Sequence, residues 1–174
     1  MSNSGHFEGE VITKWLKDAG GKDRTMELME DFSYVDPSGK RWLAAKGRTV
    51  DGASIPATFW SGTLGSPYVG DYRRATVLHD IGCEDQTEPH VAVHRMFLDA
   101  MRCDGVPLVK AMVMYQAVNR FGPTWGPGVS FAPAPEMTTD DLDALEAATA
   151  KAIAELGEEA NLETLNQRID ELLR

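Results

Sequence analysis

The apolar pattern of this chain changes period once, near Gly70, and that change restricts it to a fold in which strands come first and helices follow. Before Gly70, short runs of β-branched and aromatic residues are separated by turn residues. After it, apolar residues recur at three- and four-residue spacing. Strands gathered ahead of helices, not alternating with them, predict an α+β fold: a small antiparallel sheet in the N-terminal third, packed with about three helices.

The strand readings are Glu10–Leu16, closed by Gly20-Gly21, then Thr25–Glu30, Phe32–Val35 and Lys40–Ala45. Asp36-Pro37-Ser38-Gly39 joins the last two as a tight turn, because Pro presets φ at its second position and Gly closes the fourth. Residues Lys46 to Gly70 read as one loop with five of the sixteen glycines and two of the nine prolines. A loop that long inside a compact domain is uncommon, and when ordered tends to be functional.

Asp71 is positioned to cap a first helix carrying Ala75, Leu78, His79 and Gly82. Thr87 is positioned to cap a second, with Pro89 in its first turn, the line Val93, Phe97, Ala100, Met101, and Gly105 as its stop. A third helix starts near Pro107 and ends before Gly122-Pro123. These elements make a first unit, residues 1–125. Residues 126–137, part of a stretch from Gly122 to Pro135 with four prolines and three glycines, read as a linker. Residues 138–174 read as an acidic helical hairpin: Thr138 with Asp141 is a capping-box signature, Gly157 breaks the helix, and Asn161 caps the second arm. Its leucine stripes need a cover, which makes a protein partner, self-association or packing back on the first unit the expectation for 138–174.

Charge and cysteine usage exclude several classes. The formal net charge is −10, of which −7 falls in residues 137–174, leaving −3 for the rest. Nucleic-acid binders present a basic face to phosphate, so no nucleic acid is expected. No apolar run approaches the roughly 18 residues of a membrane span, so no membrane is expected. The first nine residues lack the apolar segment of a signal peptide. Two cysteines, Cys83 and Cys103, suit reduced thiols in a cytoplasmic setting better than a secreted disulfide scaffold.

Candidate chemistry clusters between Asp51 and His94. His79 adjoins Asp80 on the first helix, and adjacent helical residues diverge by about 100°, so the two cannot act identically. Three of the four histidines fall within sixteen residues. His90 and His94 are spaced i, i+4 on the second helix, as His79 and Cys83 are on the first, the spacing of helical zinc sites. The plainer alternative makes His94 a satisfied core histidine and pairs Asp80 with Arg73 or Arg74. Ser54 invites a Ser-His-Asp triad with His79 and Asp80, but the Gly-x-Ser-x-Gly elbow is absent.

Asp51-Gly52-Ala53-Ser54-Ile55-Pro56 followed by Ala75-Thr76-Val77-Leu78-His79-Asp80 resembles the bacterial and phage family known as domain of unknown function 1353. So do His94–Met101 with Gly105-Val106, and Met114–Gly122 with Trp125. The resemblance covers residues 7 to 125 and implies a shared site at Asp51, His79 and Asp80. Many members have an Asp where this chain has His94, an exchange a metal ligand tolerates. Members often have aromatic or aliphatic residues where this chain has Ile81-Gly82-Cys83, which speaks against Cys83 as a general ligand. HD-domain phosphohydrolases also use a His-Asp pair, but they are all-helical with an upstream histidine on a helix; His6, ahead of a predicted strand, does not fit.

The sequence therefore points to a metal-dependent hydrolase of phage or prophage type, acting on a peptide or cell-wall amide. Zinc or another divalent metal would be held by His79 and His94 with Asp80 or Asp51, and Asp51, His79 and Asp80 would form the catalytic set. The alternative is a non-catalytic structural or interaction module in which the His-Asp pair is structural.

Overall fold

The computed structural model describes residues 4–17, 24–52, 54–60, 70–133 and 135–174. Gly20-Gly21, Ala53 and residues 61–69 of the expected loop lie outside these. The strands are β1 (His6–Glu8), β2 (Thr13–Trp15), β3 (Met26–Leu28), β4 (Phe32–Val35), β5 (Arg41–Ala44) and β6 (Thr49–Val50). They form two antiparallel three-stranded sheets, β1-β4-β5 and β2-β3-β6. The α+β class expected from the sequence is the class observed.

The β4–β5 turn forms as the sequence predicts. The Gly39 amide donates to the Asp36 carbonyl at 2.9 Å, and the Asp36 carboxylate accepts from the Ser38 and Lys40 amides and from Trp42 Nε1. That clasp fixes the register Tyr34↔Trp42 and Phe32↔Ala44. Two of these six strands escape the sequence reading. β1 lies in the polar opening segment and is held by pairing Phe7 with Tyr34, and β6 lies inside the expected loop, pairing Val50 with Met26. The rest of that loop contains a short 3₁₀ helix, Ala57–Trp60.

Three helices follow: α1 (Arg73–Asp85), α2 (His90–Cys103) and α3 (Leu108–Phe121). Neither expected cap forms. Asp71 lies outside the N-cap position, which Tyr72 fills, and its carboxylate accepts from Lys110 Nζ at 2.7 Å. The N-cap of α2 is Pro89, not Thr87, with no side-chain cap. The stop of α2 follows expectation: Gly105 takes φ +85° and the Val106 amide returns to the Met101 carbonyl. All eight residues from Ala111 to Val118 are buried, so α3 is the central helix.

The segment read as a linker folds as a hairpin, β7 (Thr124–Gly126) with β8 (Val129–Ala132). Its Trp125 is buried and donates from Nε1 to the Glu88 carbonyl, which gives a Pro/Gly-rich stretch a reason to be ordered. Two helices complete the chain, α4 (Thr139–Leu156), with the Thr138–Asp141 capping box, and α5 (Leu162–Leu172), capped by Asn161. Leu142, Leu145, Ile153, Leu165 and Ile169 join the same apolar cluster as Phe32, Phe97 and Met112. Of the expected covers for the leucine stripes, packing back on the preceding helices is observed. No helix among the described residues is long and apolar enough to cross a membrane.

Candidate metal centre

The site is built where α1 and α2 cross. Gly82 makes the close approach: a Cβ there would come 2.7 Å from Val93 Cγ1. One turn before Gly82, His79 is fully buried, and from α2 so is His94. His79 Nε2 lies 2.9 Å from His94 Nδ1. Cys83, one turn after His79 on the same face, places Sγ 3.8 Å from Nδ1 and 3.7 Å from Nε2 of that ring. One donor atom each from His79, Cys83 and His94 therefore lie within 4.8 Å of one another. Metal–nitrogen bonds of about 2.0–2.1 Å and metal–sulfur bonds of about 2.3 Å put tetrahedral donors roughly 3.3–3.6 Å apart. The His79–Cys83 spacing fits, the two imidazoles need to part by a few tenths of an ångström, and the His94–Cys83 pair lies within 4.8 Å.

The turn at Asp51–Ser54 closes over this cluster. Gly52 takes φ +71°, the left-handed region that a glycine enters without strain, and its amide donates to Asp80 Oδ2 at 2.6 Å. The Ser54 hydroxyl donates to Asp80 Oδ1, and the Ser54 amide also reaches this carboxylate. Ser54 Oγ lies 3.0 Å from His79 Nδ1. Asp80 thus faces the turn and stays outside the donor cluster, while Cys83, which the family comparison spoke against, lies inside it. Of the two cations the plainer alternative offers to Asp80, Arg73 and Arg74, the second is paired with Asp104. The triad order also fails, since the carboxylate touches the serine and leaves the imidazole to Ser54 and His94. His90 is turned away, its Nδ1 2.5 Å from the Trp125 carbonyl.

Burial sets the protonation of the cluster. It pushes His79 well below the ordinary histidine range, and the neighbouring His94 adds to this. Burial likewise lowers His94 to about 4, with His90 acting in the same direction and the Pro123 carbonyl against it. Both rings are neutral at neutral pH, the form in which imidazole ligates. Nε2 of His94 is buried with no hydrogen-bond partner among the described residues. Burial raises the Cys83 thiol, and the Asp80 charge raises it further. Asp80 is raised to about 6, chiefly by burial, against the pull of the Ser54 hydroxyl and the turn amides.

Above the cluster lies a cleft of about 470 Å³ whose walls include Asp51, Ser54, Asp80, Cys83, Glu84 and Pro123. Asp51 is close enough for its charge to raise Asp80. The Asp51 loop, the His79-Asp80 helix and His94 thus meet at one place. Sequence reasoning gave Ser54 only a discounted triad role and Cys83 only a discounted ligand role. The i, i+4 spacing of His79 and Cys83 was the available signal for the latter, and nothing local signals that Ser54 joins Asp80 to His79.

The family model described as "Protein of unknown function (DUF1353)" matches residues 26–118, from β3 into the last turn of α3, and includes Asp51, Ser54, His79, Asp80, Cys83 and His94. The chain is similar to two uncharacterized proteins of Sinorhizobium fredii (strain NBRC 101917 / NGR234). It is 48% identical to y4jT over 99 residues, 57% of this chain and 29% of that protein. It is 39% identical to y4iH over 111 residues, 64% of this chain and 46% of that protein. The matched region thus spans less than half the length of each relative. No solved structure matches the chain.

Proposed function

The chain belongs to the DUF1353 family of proteins of unknown function, and from that premise we propose that it is a metal-dependent hydrolase whose divalent ion is held by His79, His94 and Cys83. The observation that supports this reading is the convergence of two neutral imidazoles and a cysteine sulfur under a cleft edged by carboxylates. Two imidazoles and a cysteine sulfur, which would give up its proton on ligation, would select a borderline metal such as zinc over magnesium or calcium. Such an ion would supply the acidity that activates a water at neutral pH. On the cleft wall Asp51 is the carboxylate placed to take a proton, while Asp80 is committed to the turn and holds Ser54 against His79. Among the described residues lining the cleft there are acids and no Lys or Arg. That favours a neutral or cationic substrate, such as a peptide or cell-wall amide, over a phosphate ester. Both cysteines are free, which suits a cytoplasmic site, and the family resemblance suits a phage or prophage origin.

Elemental analysis of the full chain should find close to one equivalent of zinc or another divalent metal. His79→Ala, His94→Ala and Cys83→Ser should each remove it. Hydrolysis of a panel of peptides and N-acyl amides should be lost in Asp51→Asn with metal content unchanged. Absence of metal after reconstitution with zinc, cobalt or manganese would sink the reading.

One observation favours the non-catalytic alternative: the Asp80 carboxylate is occupied by three donors of a single turn. As a loop lock it would bind no metal, and Asp80→Ala would cost about 1–3 kcal/mol by leaving those donors unpaired. A partner or second copy meeting residues 138–174 would then dock on a charged surface, because the leucine stripes are already packed, α4 on α3 and α5 on α4.

A further inference from the structure

Asp80, Ser54, His79 and His94 form one line of hydrogen bonds running from the 51–54 turn through α1 to α2. Ser54 donates to Asp80 Oδ1, Ser54 Oγ is 3.0 Å from His79 Nδ1, and His79 Nε2 is 2.9 Å from His94 Nδ1. The direction of each bond follows from counting protons. A hydroxyl has one hydrogen, and a carboxylate accepts it more strongly than a neutral ring nitrogen does. The Asp80 carboxylate is built as an acceptor, since the Gly52 amide also points at it. With its hydrogen on Asp80, Ser54 offers only lone pairs to His79. The hydrogen between them must therefore sit on Nδ1 of the ring. A neutral imidazole has a single N–H, so Nε2 of His79 is left bare and, with no metal present, accepts from Nδ1 of His94, whose hydrogen must move to its own Nε2 before that Nδ1 can ligate. Nε2 is also the ring nitrogen closer to Cys83 Sγ, at 3.7 Å.

We propose that Ser54 is a positioning residue: fixed on Asp80, its hydroxyl holds His79 as the Nδ1–H tautomer and so presents Nε2 as a lone pair to a divalent cation shared with Cys83. The cation half of this rests on the metal reading above, whereas the tautomer half does not. Metal-ligating histidines generally give their other N–H to such a partner, and losing the partner costs about 10- to 100-fold in metal affinity.

The test uses the full chain with ¹⁵N-labelled histidine, stripped of metal by a chelator. Two-bond ¹H–¹⁵N correlations report which nitrogen of each ring is protonated, and loss of one ring's signals in His79→Gln identifies His79. The expected spectrum shows His79 neutral with its hydrogen on Nδ1. A hydrogen on Nε2 would overturn the assignment without any metal experiment. Zn²⁺ titration should then give about a 10- to 100-fold weaker Kd in Ser54→Ala, with the His79 tautomer altered, and Ser54→Thr should restore both. Equal affinity in wild type and Ser54→Ala, or failure of Ser54→Thr to restore, removes the role. If wild type keeps the Nδ1–H tautomer but binds no Zn²⁺, the metal reading and the cation half fall together, and the tautomer assignment stands.

Discussion

Burial of two neutral histidines beside a carboxylate gives the metal-free protein a definite acid response. Unfolded histidine takes up a proton near 6.5, whereas folded His94 does so only near 4 and folded His79 well below the ordinary value. Below about 6.5 the unfolded chain binds more protons at these rings, so stability falls as pH falls through that window. Asp80 acts oppositely. Its folded value of about 6 exceeds the ordinary 3.8, so between the two the folded state binds the extra proton and acidification adds stability. Two rings outweigh one carboxylate. Thermal melts in chelator should show the midpoint dropping from pH 7 to about 4.5, and more steeply in Asp80→Asn, which keeps an acceptor but no longer titrates. A profile that Asp80→Asn leaves unchanged would refute this assignment. At this scale the sequence showed which residue types gather, since His79 and His94 meet and the 51–54 turn closes on the adjoining Asp80. It could not show which oxygen takes which hydrogen, because Ser54 and Asp80 are 26 positions apart and their bond depends on the way the Gly52 turn is folded.

Among the elements, the α1–α2 crossing decides whether the donors converge, and Gly82 decides the crossing. Alanine is the better helix former by about 1 kcal/mol, so Gly82→Ala would stabilise an isolated α1. Here the added methyl meets Val93 Cγ1 at 2.7 Å, and both Val93 Cγ atoms crowd it. Overpacking of this kind costs about 1–3 kcal/mol, so packing outweighs propensity and the variant should be destabilised. Urea unfolding would measure it, and Val93→Ala in the same chain should recover much of the loss, since the two sites are in contact. Gly82→Ala as stable as wild type would show that the helices do not meet this way. Helix periodicity and stops were legible because each helix repeats its pattern over three or more turns. The strands β1 and β6 were not: two or three residues hold too little pattern, and both exist because Tyr34 and Met26 offer them an edge. The caps failed for a related reason, as Asp71 finds a stronger partner in Lys110, a cation 39 positions away.

Across the whole molecule, the central question is whether residues 138–174 are an attachment or a wall of the core. The sequence read them as separate, beyond a linker, and the family match also stops at residue 118. The burial of α3 argues for a wall. A helix apolar around its whole circumference must be covered on every side. From Ala111 to Val118 every residue of α3 is buried, with Gln116 the only strongly polar side chain among them, and Gln116 Nε2 donates to Asn166 Oδ1 of α5 at 2.6 Å. Arg120 pairs with Asp170 one turn further along. The connection is tied as well, because Thr58 Oγ1 donates to the Met137 carbonyl at 2.5 Å and the Met137 side chain is buried. Cutting the chain after Glu136 would expose the outer face of α3 and strand Gln116. The truncated protein should melt at a lower temperature with a broadened transition and bind a hydrophobic dye that the full chain excludes. Its zinc affinity should fall less than its stability, because the donors lie on α1 and α2. A truncated chain that unfolds as sharply as the full one and binds no dye would support the two-unit reading, with α3 able to keep its outer face dry by other means.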